Sequence, residues 1–261
     1  MNSITHFLFA GILCTGFNNF SSAQVSANSG APVALADKYG RLQVESQGWT
    51  DPALNHNKLL QQHTSEGLYK LIGAYKVIGS SFLFGEHHLG DIFAPEVKAY
   101  NIYISYNTFN QEVEFYSKGN PDIPLIREPG TLDSFIIHQD LGQKITSNLK
   151  FVYGSLLGVK DKFYYQEICT GNRFSLYKRY KSDLGYVSTN YVQSELRQFD
   201  LESEYYYTDT ASKGIKKIRP NAASVIKEFK DIKDPTSVAS VDDFTTNREN
   251  AFTKVFEYLN Q

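Results

Sequence analysis

The chain has 261 residues, 41% hydrophobic and 21% charged, a composition typical of a soluble globular protein of one large domain or two small ones. The formal net charge of -2 gives no general attraction to nucleic acid or to anionic membranes, so we expect neither as a partner. Tyrosine and phenylalanine number 18 each, and because aromatic side chains suit a pleated, half-buried surface, this excess favours sheet over helix.

The first 23 residues have the pattern of an export signal. An apolar stretch over residues 7–17 is too short to span a bilayer, and Ser21 and Ala23 are the small residues expected before a cleavage site at Gln24. Cys14 does not fit a lipoprotein site, because Leu13, which is not small, precedes it. We therefore expect a cleaved signal peptide over 1–23, no lipid anchor, and no transmembrane segment farther along the chain.

Two segments follow the signal. Residues 24–66 are rich in small polar residues and are predicted to be flexible or partly ordered, with at most a short helix over 54–63. Residues 67–261 are predicted to form a single β-rich domain. Cys169 would be the only cysteine left after cleavage, so no internal disulfide is expected, and its strand-like surroundings predict a buried, inert thiol.

Residues 99–116 have the alternation of a β-hairpin. Its first strand would bury a face that includes Tyr100 and Tyr106, and its second strand would place Glu112 and Glu114 on the solvent side. Eight further strands are predicted at 75–80, 123–128, 133–138, 150–156, 162–170, 173–181, 203–208 and 213–219. About ten short strands without intervening helices imply consecutive antiparallel pairing.

The C-terminal region changes to helical spacing. Residues 221–232 predict a helix capped by Asn221, with a buried stripe of Ala222, Val225, Ile226, Phe229 and Ile232. Residues 245–260 predict a second helix, in which Thr246 and Glu249 are spaced as a capping box and Phe252, Val255, Phe256 and Leu259 share one face. We therefore expect an α+β fold: a predominantly antiparallel, curved sheet with two C-terminal helices packed on or beside it.

Four stretches also resemble a family of exported, β-rich proteins of Gram-negative bacteria. They are GSSFLF (79–84), ISYNTFNQEVEF (104–115), RFSLYKRYK (173–181) and IKKIRPNAASVIKEF (215–229), and the resemblance extends over roughly 75–260. It implies a periplasmic or extracellular protein with a β-rich domain and a helical C-terminus. It implies no activity, cofactor or site residue.

The stretch GEHHLGD, residues 85–91, carries the richest chemistry in the chain. Adjacent histidines on a strand point to opposite faces, so His87 and His88 can share a metal only where the backbone turns, with Glu86 or Asp91 as a third ligand. The remaining histidines are scattered and no HExxH motif occurs. The pattern favours a polar turn, and a metal-dependent hydrolase centred on His87 and His88 is the alternative.

Two other patterns invite a function. Glu112 and Glu114 are spaced as a carboxylate pair for glycoside chemistry, although a solvated strand face explains them more simply. The basic run KGIKKIR, residues 213–219, gives no clean basic face as a strand, so we interpret it as an edge strand whose lysines discourage pairing. Nucleophile elbows, phosphate loops and calcium loops are missing from the sequence, and we predict no catalytic residue, metal or cofactor.

Three functions of different classes therefore stay open. The first is a non-catalytic exported module that binds an unknown ligand or envelope protein through an aromatic-rich sheet. Its candidate contacts, which ordinary packing would explain equally well, are Tyr164, Tyr165, Tyr177 and Tyr205 to Tyr207. The second is the metal-dependent hydrolase, and the third is an accessory subunit of a cell-surface assembly that uses an exposed strand edge.

Overall fold

The computed structural model describes residues 42–45, 56–64, 68–117, 120–127, 130–187 and 196–261, so the predicted signal peptide lies outside the described residues. These ranges contain thirteen strands: β1 (Leu42–Glu45), β2 (His56–His63), β3 (Tyr69–Ile78), β4 (His88–Phe93), β5 (Lys98–Asn107), β6 (Glu112–Ser117), β7 (Asn120–Arg127), β8 (Ser134–Ile137), β9 (Leu149–Tyr153), β10 (Tyr164–Cys169), β11 (Phe174–Tyr186), β12 (Leu196–Asp209) and β13 (Ser212–Ile218). Three α-helices follow: α1 (Ala222–Phe229), α2 (Val241–Thr246) and α3 (Arg248–Leu259).

The strands form one sheet built from three meanders, β1 to β3, β4 to β7 and β8 to β13, each of which pairs its strands consecutively. The β4–β8 pairing joins the second meander to the third. The sheet order is β1-β2-β3-β12-β11-β10-β9-β8-β4-β5-β6-β7, with β13 beside β12. The prediction of a predominantly antiparallel sheet with helices at the C-terminus is therefore confirmed.

One strand pair departs from the antiparallel pattern. β12 is long enough for its C-terminal half to pair with β13 while its first residues, Leu196 to Gln198, pair in parallel with Lys76 to Ile78 of β3. β2 then extends the sheet beyond β3, so the short helix expected over 54–63 is wrong. An available strand edge supplies backbone partners that override weak local helix preference.

The sheet curls enough for the β5–β6 hairpin tip to reach β11. The Thr108 and Ser182 hydroxyls lie 2.6 Å apart, and the side-chain amide of Gln111 donates to the Tyr180 carbonyl oxygen at 3.1 Å. Inside this curl lies an apolar cluster, the inner core, formed by residues of β4, β5, β6 and β8 to β11. Its centre is a parallel stack of the Phe135 and Phe151 rings, with centroids 4.6 Å apart.

The helices cover the other end of the same sheet face. Phe174 and Leu176 of β11 and Tyr205 and Tyr207 of β12 pack beneath the helices. The helix residues buried against these four side chains are Val225 and Phe229 of α1, Phe244 of α2, and Phe252, Val255, Phe256 and Leu259 of α3. We call this cluster the helix core. The predicted apolar faces of both helices are confirmed, except that Ile232 lies beyond the end of α1 and is exposed.

The helix starts differ from the prediction in one respect. Asn221 caps α1 as expected, with its side chain accepting from the Ser224 amide at 2.8 Å. The expected capping box at Thr246 is wrong, because α2, which was not predicted, ends at that residue. Asn247 caps α3 instead, and this frees the Glu249 side chain for a contact with the sheet.

The β5 face also departs from the predicted alternation. Tyr100 is exposed, whereas Tyr106 on the same predicted face is fully buried. Asn101 has a positive φ of 53°, and the β4–β5 register shifts at this point. This irregularity turns Tyr100 out of the buried face and against Phe93.

Candidate functional site

A cleft of about 340 Å³ opens where the inner core meets the helix core. Strands β10 and β11 form its floor, α3 one wall, and the segment between β8 and β9 another wall. Its neutral polar lining consists of Thr146, Ser147, Asn148, Gln166, Tyr180 and Thr253. The cleft therefore places a polar surface between two apolar clusters on one sheet face.

The floor is a directly paired glutamine and lysine. Gln166 of β10 lies opposite Lys178 of β11 in the ladder, so both side chains project from the same sheet face. Each interrupts an apolar run, since Tyr164 precedes Gln166 on that face and Leu176 precedes Lys178. The Tyr180 hydroxyl donates to Gln166 Oε1 at 2.9 Å and fixes the carboxamide orientation.

Lys178 is held as a cation. Its Nζ lies 2.7 Å from Glu249 Oε2 of α3, and 5.0 Å and 5.5 Å from the ring centroids of Tyr180 and Tyr205. Burial opposes the positive charge, but interactions with Tyr180 and the hydrogen bond to Glu249 outweigh burial and raise the pKa of Lys178. The ammonium therefore stays protonated across the physiological range and links the sheet to α3.

Phe84 stands at the cleft with its side chain 43% exposed. Its backbone φ is 59°, a conformation that a bulky side chain rarely adopts, and its ring packs edge-on against Tyr180 with centroids 6.2 Å apart. The Leu83 amide donates to the Tyr106 carbonyl oxygen at 2.9 Å and anchors this turn. Strained residues persist where the surrounding structure holds them, and they concentrate at functional sites.

The remaining charges at the cleft are also engaged or peripheral. Lys144 is exposed, whereas Glu167, which follows Gln166 in β10 and points to the opposite sheet face, forms an ion pair with Lys150 at 2.8 Å. The cleft thus offers amide and hydroxyl groups, one exposed aromatic ring, the exposed Lys144, and the Glu249 carboxylate, which already has a cationic partner. This donor and acceptor set suits the binding of a small polar molecule.

The two histidines of GEHHLGD lie in different surroundings. His87 is exposed, with its ring 4.1 Å from the Tyr116 ring, whereas His88 begins β4, is buried, and contacts the Leu83 and Gly85 carbonyl oxygens at 3.1 Å through Nε2. Of the predicted polar turn, only residues 85–87 lie outside a strand; the chain bends at Glu86, and Gly85 has φ 107°. The glycine at position 90 lies inside the strand instead, where a Cβ would overlap the Ile136 carbonyl oxygen.

Asp91 and Glu86 do not join the histidines. Asp91 Oδ2 lies 3.0 Å from Nε2 of His138, and Glu86 is exposed. Over the described ranges, no three His, Cys, Asp or Glu side chains form a group that could hold a metal ion.

The placement of Glu112 and Glu114 on a solvent face is wrong. Both are fully buried. The Tyr69 hydroxyl of β3 donates to Glu112 at 2.5 Å, and the Tyr116 hydroxyl donates to Glu114 at 3.3 Å. Tyr69, at the start of β3, thus reaches Glu112 over a long distance in sequence, a contact that strand alternation cannot reveal.

The tyrosines offered as binding contacts are packing residues. Tyr164, Tyr165, Tyr177 and Tyr205 to Tyr207 are all buried, so none presents a ring face to a ligand. Cys169 is half-buried and not fully buried as predicted, and burial raises the pKa of its thiol, which favours the unreactive form.

The lysine-rich strand β13 pairs with β12 alone among the described strands, as expected of an edge. Lys217 donates to Glu204, which also accepts from Arg179 and, at 2.7 Å, from the Tyr206 hydroxyl. Partial burial opposes the negative charge, but these hydrogen bonds lower the pKa of Glu204 from 4.5 to about 2. Lys217 therefore connects β13 to Glu204 of β12 and, through Glu204, to Arg179 of β11; these charged residues form one network.

The cleft residues were missed by sequence reasoning, although two of them left a signal. Gln166 and Lys178 are polar positions on strand faces that are otherwise apolar at period two. Glu249 and Phe84 left no such signal. Glu249 was assigned to a capping box, and Phe84 lies in the stretch GSSFLF, which carries no chemical motif.

Comparison of the chain with protein-family models, with curated proteins and with solved structures returned no match. Within the described part of the chain, no helix combines the length and apolar character needed to cross a membrane.

Proposed function

We propose that the protein is an exported, non-catalytic binding module that holds a small polar ligand in the cleft between the inner core and the helix core. The observation that carries this proposal is the polar floor of Gln166 and Lys178 in a sheet face that is otherwise apolar. Burying polar and charged groups costs free energy, and apolar residues at these positions would extend the core without that cost. A ligand that uses the floor gives these two residues a function.

The chemistry of the cleft supports binding over catalysis. A general base or amine nucleophile needs a free lone pair, and Lys178 is kept protonated by its surroundings. Glu249 accepts the hydrogen bond from Lys178. These groups are suited to fixing the shape of the cleft and to orienting a ligand.

Export is supported by the signal pattern of residues 1–23 and by the resemblance to exported proteins of Gram-negative bacteria. N-terminal sequencing of protein recovered from the periplasm or culture medium should begin at Gln24. Recovery of a chain beginning at Met1 would contradict export.

The two other functions have weaker support. The hydrolase requires His87 and His88 to share a metal, but one ring stacks on Tyr116 while the other is buried against backbone carbonyls. The surface-assembly function requires an open strand edge. On one edge of the sheet lies β7, whose two prolines, Pro121 and Pro124, have no N–H to donate to an added strand.

The binding proposal is testable by NMR on isotope-labelled protein. Mixtures of saccharides, amino acids, nucleosides and organic acids would be added, and amide shifts of Thr146, Gln166 and Thr253 compared with those of the helix core. We expect at least one mixture to shift the cleft signals. The variant Phe84→Ala should weaken that response, whereas Leu89→Ala, at a position 42% exposed and outside the cleft lining, should not.

Failure of every mixture to shift the cleft amides would overturn the binding proposal. Thermal unfolding of both variants shows whether each one still folds. A loss of the amide shifts is evidence about the cleft only in a variant that keeps its fold.

A further inference from the structure

We infer that the ligand of the cleft is a neutral saccharide of one or two rings, an inference that rests on the proposed binding function. The first argument is charge. Lys178 and Glu249, the charged pair that spans the floor and one wall, neutralise each other at 2.7 Å. An ionic ligand would have to break this pair, which is costly, or rely on Lys144, an exposed lysine of the lining whose charge is screened by water.

The second argument is the balance of donors and acceptors. Hydroxyl and carboxamide groups can both donate and accept, and the neutral polar lining consists of these groups alone: Thr146, Ser147, Asn148, Gln166, Tyr180 and Thr253. Because Oε1 of Gln166 already accepts from Tyr180, its amide nitrogen is the end available to donate to a ligand. Saccharide hydroxyls, which also donate and accept, match this lining.

The third argument is the exposed ring of Phe84. The face of an aromatic ring carries partial negative charge and attracts polarised C–H groups, which line one side of many sugar rings. Phe84 is held at the cleft by a strained turn, and its edge contact with Tyr180 limits the orientation of the ring. Hydrogen-bonding groups facing an aromatic ring match the two chemically different sides of a saccharide.

The size of the cleft limits the ligand further. A volume of about 340 Å³ lies near the lower end of pockets that hold small molecules, about 300 to 1,000 Å³. The predominantly polar lining disfavours a lipid chain, which would leave the hydroxyl and amide groups without partners. A monosaccharide or disaccharide fits both constraints.

The test is an NMR titration of the full mature chain with defined probes. Maltose, cellobiose and diacetylchitobiose are the neutral saccharides; glucuronic acid is the anionic probe, glucosamine the cationic one, and adenosine the neutral heteroaromatic one. We expect a neutral saccharide to shift the amides of Thr146, Gln166 and Thr253, and the charged sugars to bind more weakly.

Two variants connect the response to the cleft. Phe84→Ala should raise the Kd of the bound saccharide at least about tenfold, and Gln166→Leu should raise it similarly, since each removes one of the two recognition elements. Leu89→Ala should leave the Kd unchanged. Unaltered binding by both cleft variants would overturn the inference.

The outcomes distinguish a failure of the saccharide assignment from a failure of the proposed binding function. If glucuronic acid, glucosamine or adenosine shifts the cleft and the neutral saccharides do not, the saccharide assignment is wrong and the binding function survives. If no probe or mixture shifts the cleft, or if shifts occur only elsewhere, both are wrong.

Discussion

Asn260 fixes the end of α3 to the sheet through one side chain. Its Oδ1 accepts from the Arg173 and Phe174 amides at 3.0 and 2.9 Å, and its Nδ2 donates to the Phe174 and Phe256 carbonyl oxygens at 2.9 and 2.7 Å. The neighbouring Gly171 leaves the space that this carboxamide occupies, because a Cβ there would overlap it. Neither residue belongs to a motif, so their pairing could not be predicted from the sequence.

A double-mutant cycle tests this contact. Asn260→Ala should lower the free energy of unfolding by about 1 to 3 kcal/mol, since backbone groups lose their partners. Gly171→Ala should also destabilise, but by at least about 0.5 kcal/mol less in the Asn260→Ala background, where the overlapping carboxamide is gone. Urea denaturation of the four proteins measures the coupling, and strictly additive losses would contradict it.

Glu204 gives a prediction with a defined pH dependence. Its pKa in the folded protein is about 2, below the ordinary value of 4.5, so its charged form stabilises the fold. That contribution is fully present above about pH 4.5 and is lost as the pH falls through 2. Glu204→Gln should therefore lower the free energy of unfolding by about 1 to 3 kcal/mol at pH 7, a range discounted for partial exposure.

The difference between wild type and Glu204→Gln should shrink toward zero in denaturation series taken from pH 5 to pH 2. Glu202→Gln, at an exposed position on the same strand, should change stability by less than about 0.5 kcal/mol at pH 7. A Glu204→Gln deficit that stayed constant across the series would show that the charge network is not its source.

At the scale of elements, local patterns predicted what local interactions decide. The apolar stripe of α3 was predicted because its spacing is intrinsic to the helix, and the β5–β6 hairpin because its turn and alternation are contiguous in sequence. Strand β2 and the burial of Glu112 were not predicted, because both depend on β3. This strand pairs with β2 and contacts Glu112 through the Tyr69 hydroxyl. Periodicity predicts which residues share one face of a strand or helix, whereas tertiary contacts decide whether that face is exposed to water.

The packing of α3 predicts the cost of a cavity. Phe256 is fully buried, with its ring centroid 5.5 Å from that of Phe229 and 6.1 Å from that of Tyr207. Phe256→Ala should lower the free energy of unfolding by about 3 kcal/mol. Lys254→Ala, on the exposed side of the same helix, should change it by less than about 0.5 kcal/mol, so calorimetry or urea denaturation can separate the two. Equal effects would show that α3 is not part of the core.

At the scale of the whole molecule, the cleft depends on pairings between distant parts of the chain. Its floor comes from β10 and β11, its walls from α3 and the β8–β9 connection, and Phe84 from the turn before β4. The consecutive pairings of each meander follow from short connections, but the β4–β8 and β3–β12 pairings join strands far apart in sequence. Sequence reasoning therefore recovered the fold class and most strands, while the site, which these distant pairings assemble, stayed hidden.

The three helices should be indispensable to the sheet. Truncation after Pro220 would expose Phe174, Leu176, Tyr205 and Tyr207, which lie beneath the helices, and would leave the mostly buried Lys178 without Glu249. Exposed apolar surface and an unpaired, half-desolvated cation are both destabilising, so the fragment should bind a hydrophobic dye and lose the cooperative thermal transition of the full chain. Removal of Gln261 alone, an exposed residue, should leave that transition unchanged. A soluble fragment with an unaltered transition and no dye binding would show that the sheet folds without the helix core.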